Sequence, residues 1–322
     1  MRWSLTVCDG CDFRKANAAE AGYGFSTDSL PNQFFRNSVS HMTTDLVPTT
    51  NADGLPIVAM SDAQKYEFDL KGWIALPGLL PEAQLGPIRE HQMKFLKERD
   101  SLPPHERDNH GGPSQILLDH PVVAGVLNEI LSHQALATEE CYGFRYDHTY
   151  TSLRPAGHDN YNPHGGGALF NFEGNSHIYQ MHPGSIHAGL TRVVWELNEV
   201  VKGKGGTMFI SGSHKTAFPR PESSGARDSA LWETYGCPAG SAVIFTEAIC
   251  HTGTEWTIKE WDRLCLFTCY NTVNSKWGKG RPPLEVIEAM APKRQTLFRG
   301  VWHGMSEVPG VNRYYEEANT AV

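Results

Sequence analysis

At 322 residues, 40% of them hydrophobic, the chain can bury one large core or two ordinary ones. Its net charge of −8, without a Lys/Arg run able to track a phosphate backbone, argues against nucleic acid as a partner, and no apolar stretch reaches membrane-span length. With no apolar signal segment and no small-residue cleavage site at the N-terminus, a soluble, cytoplasmic protein is expected.

Residues 1–55 are polar, rich in Asn, Ser, Thr and Gly, and without periodicity, so they read as a disordered or loosely attached leader. Met42 is an alternative start within it. Cys8 and Cys11 form a CxxC, but neither the second pair of a zinc site nor a following βαβ unit accompanies it. Two thiols in a tail are the simpler reading. The remaining cysteines, at 141, 237, 250, 265 and 269, have no spacing that suggests a disulfide framework.

Residues 56–322 read as a single domain. Ser61-Asp62-Ala63-Gln64 has the spacing of a capping box and predicts a helix start. Gly72–Pro77 predicts a short strand, Pro81 opens a helix to about Arg99, and a second helix spans about Val122 to Leu131. From Tyr142 to Tyr150 bulky residues alternate with smaller or polar ones, the period of a strand. That aromatic stripe is either plain core, the commoner case, or the wall of a substrate cavity. Strand-like runs follow at 177–182, 189–200, 206–211, 240–247 and 263–272, and a tail helix near Leu284–Met290. Short strands behind leading helices predict a mainly β barrel or sandwich with a helical flank.

Two histidines stand in distinctive frames. His164 lies in Asn162-Pro163-His164-Gly165-Gly166-Gly167, and His251 follows the apolar run Ser241–Phe245. The HGGG string occurs as an oxyanion-hole element in esterases, yet no serine has the flanking glycines of a nucleophile elbow, so hydrolysis is set aside. With fifteen histidines in the chain most must be structural, and His164 alone would serve as a local hydrogen-bonding group. Two imidazoles and a carboxylate with open positions form the site of non-haem Fe(II) oxygenases. Here two pieces are visible. Arg263, 12 residues after His251 (263 − 251), shares a strand face with Cys265, Phe267 and Cys269. Buried there it needs an anion, met equally by an internal salt bridge or by a dicarboxylate ligand.

These residues carry a resemblance. Val193–Val200, Lys204-Gly205-Gly206 through Gly212-Ser213-His214-Lys215, and Gly240–Phe245 through His251 and Arg263 resemble the phytanoyl-CoA dioxygenase family of Fe(II)- and 2-oxoglutarate-dependent oxygenases, over roughly residues 62–273. The resemblance implies a double-stranded β-helix, or jelly roll, flanked by N-terminal helices. It implies Fe(II) and 2-oxoglutarate as cofactors and a small organic substrate oxidised at a C–H bond. By position, His164 and His251 become iron ligands, Arg263 grips the distal carboxylate of 2-oxoglutarate, and His214 is structural.

Gly166 stands where the family has an acidic ligand. Three readings stay open. A halide takes the position, as in related halogenases; another carboxylate does, Glu247 foremost, with Asp147, Glu173 and Glu196 available; or the metal site has decayed into a non-catalytic, cupin-like scaffold. Substrate and oligomeric state are not legible.

Overall fold

The computed structural model describes residues 46–167 and 177–302. Cys8, Cys11, Met42 and Glu173 lie outside them. Residues 46–55, the end of the segment read as a leader, are packed: Thr50 bridges Pro56, buried Asn51 donates to the Asp119 carbonyl at 3.2 Å, and Arg294 pairs with Asp53 at 2.6 Å.

Helix α1 (Asp62–Lys71) starts on the capping box expected of it, with Ser61 accepting from the Gln64 amide and the Gln64 side chain accepting from the Ser61 amide. It stops at Gly72, whose φ of 84° is a left-handed cap and whose missing Cβ would meet the His214 ring at 2.5 Å. Strand β1 (Trp73–Leu76) leads to α2 (Glu82–Lys97), which buries Leu85, Ile88 and His91. Helix α3 (Pro121–Ile130) is buried on most sides and sits deep in the helical layer.

The strands follow as β2 (Phe144–Arg154), β3 (Gln180–His182), β4 (Ser185–His187), β5 (Thr191–Glu196), β6 (Gly206–Ile210), β7 (Trp232–Thr234), β8 (Ser241–Thr246), β9 (Cys250–Thr254) and β10 (Arg263–Thr272). Short helices α4 (Leu284–Glu288) and α5 (Pro292–Gln295) close the described chain. The fold is mainly β, and its pairings are antiparallel. One sheet has the order β1-β8-β5-β10-β2, a second β7-β6-β9, and β3 with β4 makes a hairpin.

The inner strands β8, β5 and β10 are buried on both faces, so they read as largely apolar runs. Val193, Trp195, Ile244, Leu264 and Leu266 face a core shared with α1, α2 and α3. Val194, Val243, Phe245, Cys265 and Phe267 face a second core with Phe209 of β6 and Trp256. Phe209 meets Phe245 with ring centroids 5.0 Å apart, and the two sheets close over this interior. Each such side chain removed from water contributes about 1.5–3 kcal/mol. No helix among the described residues is long and apolar enough to cross a membrane.

Two local features depart from the sequence reading. Strands β4, β7 and β9 carry no clear signal, because Ser-Ile-His, Trp-Glu-Thr and Cys-His-Thr-Gly-Thr are short and have little apolar content. The aromatic stripe is split by a bulge: Cys269 pairs with His148 while Tyr270 pairs with Tyr146, leaving Asp147 as the extra residue. Phe144 and Tyr146 therefore belong to the helix-side core, whereas His148 and Tyr150 turn to the interior face with Cys269 and Phe267. Tyr142, Phe144 and Tyr146 are plain core, and of the second half only His148 lines the cavity described below.

Candidate metal centre

The site lies where the glycine-rich segment meets β9. His164 and His251 form a reciprocal backbone pair, His164 N–H to His251 O at 3.1 Å and His251 N–H to His164 O at 2.9 Å. Their ring centroids stand 4.1 Å apart. This close approach requires the run of left-handed glycines at 165, 166 and 167: a Cβ on Gly165 would lie 2.2 Å from the Ile249 carbonyl oxygen.

Each imidazole is oriented by a carbonyl. His164 Nδ1 is 2.8 Å from Asn162 O, and His251 Nδ1 is 2.9 Å from Ile249 O. A carbonyl only accepts, so each Nδ1 carries the proton and each Nε2 presents a lone pair. Burial, ahead of the opposing Glu247 charge, lowers the pKa of His251 to about 4, so the ring is neutral at physiological pH.

Glu247 completes the cluster. It does so through the tight β8–β9 turn, in which the Ile249 amide donates to Thr246 O at 3.1 Å. Its Oε2 is 3.5 Å from His251 Nε2. Ligand atoms of His164, Glu247 and His251 all lie within 4.8 Å of one another, the one such group of three among the described residues. Cis ligands of a divalent metal at about 2.1 Å stand about 3 Å apart, so the set closes on an ion with small side-chain adjustments. Glu247 is 5% exposed; burial alone would raise its pKa, but Arg192, His251, His164 and His177 outweigh it and hold the carboxyl at about 2. It is an anion set against the neutral His251 ring and close to the His164 imidazole.

The other carboxylates are engaged elsewhere. Asp147 accepts from His148 Nδ1 at 2.8 Å and from the amides of Trp277 and Gly278 at 2.7 and 2.6 Å. Glu196 is buried against Arg263. Gly166 does not open towards the cluster either: a Cβ there would meet Cys250 Cβ at 2.9 Å, then Ser213 and Arg220. The position with no acidic residue therefore does not face the three-residue cluster. A Gly166→Asp substitution should not rebuild the family's ligand pair. Left-handed backbone costs an L-residue about 1–2 kcal/mol before that contact is relieved, so unfolding in urea should show a loss of roughly 2 kcal/mol or more. Unchanged stability with tighter metal binding would contradict this placement.

Arg263 sits away from the cluster. Its Nε donates to Glu196 Oε2 at 3.1 Å, its Nη2 to Glu196 Oε1 and, at 3.1 Å, to the Tyr235 hydroxyl. Of the two anions considered for it, the internal one is present; its Nη1 has no hydrogen-bond partner among the described residues. His214 is structural as expected, its Nε2 3.1 Å from the Asp69 carbonyl and its ring against Tyr179.

A cavity of about 160 Å³ opens on the cluster, lined by His148, His164, His177, Leu190, Arg192, Glu247 and Trp277. Arg192, His148, His177 and Trp277 were not singled out from the sequence. One signal was there for Arg192, since a charge two residues before Val194 shares its inward face. Arg192 Nε pairs with Glu247 Oε1, and Nη1 donates to the Tyr150 hydroxyl at 3.0 Å. Burial disfavours charge on His148, but the hydrogen bond to Asp147, followed by the Cys269 contact, raises its pKa to about 10.

Solved structures with this architecture exist. HygX from Streptomyces hygroscopicus with nickel and 2-oxoglutarate bound matches at a TM-score of 0.54 and 18% identity, over 68% of this chain and 89% of that one. In fold, the chain is similar to HygX. The iron-bound form of HygX matches at 0.53 and 19%, and the form with nickel, 2-oxoglutarate and hygromycin B at 0.54 and 17%, each over 68% of this chain and 90% of that one. No family model matches the chain, and no curated protein does.

Proposed function

We propose that the protein is an Fe(II)- and 2-oxoglutarate-dependent oxidoreductase acting on a C–H bond of a small organic molecule, with iron held by His164, Glu247 and His251. The observation that carries this reading is the buried, ionised Glu247 set between two imidazoles whose Nε2 lone pairs are free to bind. Three protein ligands on one side, with a cavity on the other, is the arrangement of a non-haem iron centre that keeps positions open. HygX, solved with iron and with 2-oxoglutarate, supports the choice of cofactors through its fold.

When bound, iron and 2-oxoglutarate would supply the activation of dioxygen. The chain's own residues hold and surround them. Arg192 fixes the Glu247 carboxylate, the Asn162 and Ile249 carbonyls fix the two rings, and Leu190 and Trp277 give the cavity its apolar wall. Kinship to the phytanoyl-CoA dioxygenase family, through Lys204–Lys215 and Gly240–His251, and a double-stranded β-helix architecture belong to the same proposal. A halide at the Gly166 position is disfavoured, since that backbone faces Cys250 and Ser213, and Glu247 supplies the carboxylate.

Anaerobically purified protein should take up one equivalent of Fe(II) and, with oxygen, convert 2-oxoglutarate to succinate. His164→Ala and His251→Ala should each abolish both. A wild-type protein that binds no iron would favour the scaffold reading, and turnover retained in both variants would remove these histidines from the site.

A further inference from the structure

The cavity has a cationic row that the resemblance did not anticipate. On β10, Cys269 stands opposite His148 of β2 on one side and Arg192 of β5 on the other, so the three side chains line one row of the interior face. Neighbouring strands are about 4.8 Å apart, which puts a cation on each flank of a small thiol, and both His148 and Arg192 line the cavity. Tyr150 adds its hydroxyl, already accepting from Arg192 at 3.0 Å. His148 is anchored from behind by Asp147, whose remaining acceptors are filled by Asn271 and the Trp277 and Gly278 amides.

Reach separates this row from Arg263. Arg192 touches Glu247, itself within 3.5 Å of His251 Nε2. Arg263 pairs with Glu196, four residues further along β5 from Arg192, or about 13 Å at the rise of a strand. A five-carbon 2-oxo diacid spans about 5 Å between its carboxyl carbons, four bonds of about 1.5 Å. A diacid chelated at the metal centre meets the near arginine first. Arg263 is also neutralised by its own carboxylate and does not line the cavity.

We infer that Arg192, flanked by His148 and Tyr150, receives the distal carboxylate of the 2-oxo diacid, in place of Arg263. This rests on the metal-centre reading above. Arg192 then does two things at once, steadying Glu247 through Nε and presenting its outer edge to the ligand.

The test compares two ligands by calorimetry on Mn(II)-loaded protein without oxygen: 2-oxoglutarate, with a distal carboxylate, and 2-oxobutyrate, without one. Wild type should prefer 2-oxoglutarate by about thirtyfold, the scale of charge-assisted hydrogen bonds. Arg192→Gln should bring the ratio of the two affinities close to one, since any loosening of Glu247 falls on both ligands alike, and the paired Glu196→Gln/Arg263→Met variant should keep the preference. Preference retained in Arg192→Gln, as when the arginine instead serves a carboxylate on the primary substrate, or preference lost in the paired variant, would overturn the assignment. A wild-type protein that binds no Mn(II) would remove the metal-centre reading and this inference with it. Metal binding with the preference following Arg263 would remove this inference alone.

Discussion

Glu247→Ala should weaken metal binding by at least about 100-fold, beyond the 10–100-fold typical when a group that only supports a ligand is lost. Glu247 provides the one negative charge that ligand atoms of the cluster offer a divalent cation. Its loss also leaves Arg192 facing the two histidines as an unpaired cation in a cavity wall, repelling the ion directly. Glu247→Gln keeps the shape and removes the charge, and it should lose nearly as much. Competition of each variant with a chelator for Mn(II) gives the comparison. Affinity within a few-fold of wild type in both variants would take Glu247 out of the coordination sphere.

The largest effect on stability is expected at the pair Arg263 and Glu196, 1% and 0% exposed. Breaking a buried ion pair from one side strands a charge in the interior, at about 3–5 kcal/mol. Arg263→Met alone should therefore lower the unfolding free energy in urea by about that much. The paired Glu196→Gln/Arg263→Met variant buries no net charge, and its introduced amide oxygen can still accept from the Tyr235 hydroxyl, so it should recover most of the loss. If Arg263→Met is as stable as wild type, the pair does not hold the interior between the sheets as described. If the paired variant is no better than the single one, the cost lies in packing around Phe267, over which the guanidinium sits at 5.6 Å.

Much of this is legible in the sequence. The capping box at Ser61, the glycine stop at Gly72 and the apolar strands β5, β8 and β10 follow from local chemistry, because each satisfies its own backbone or buries two faces. His164 and His251 stand out through their glycine and strand frames. What escapes is set by contacts distant in sequence. The bulge at Asp147 turns His148 into the cavity, yet the residues around it keep an unbroken alternation. Strand β9 is held by pairing with β6 and by the single bridge to His164, so its polar sequence carries no strand signal. Arg192 looks like one charge in an apolar run; only the register that sets it beside Cys269 and near Glu247 gives it a role. Glu247 is one of four carboxylates on offer, and the choice depends on a turn geometry that spacing alone does not fix. Arg263 shows the converse case, where a position suited to an external anion already holds an internal one.

The central claim is the identity of the three ligands, and anomalous diffraction from crystals grown anaerobically with Mn(II) tests it most directly. A single strong peak should lie within about 2.3 Å of His164 Nε2, His251 Nε2 and one Glu247 carboxylate oxygen. A peak bound by the histidines with Glu247 still turned to Arg192, or a peak elsewhere in the chain, would contradict the account.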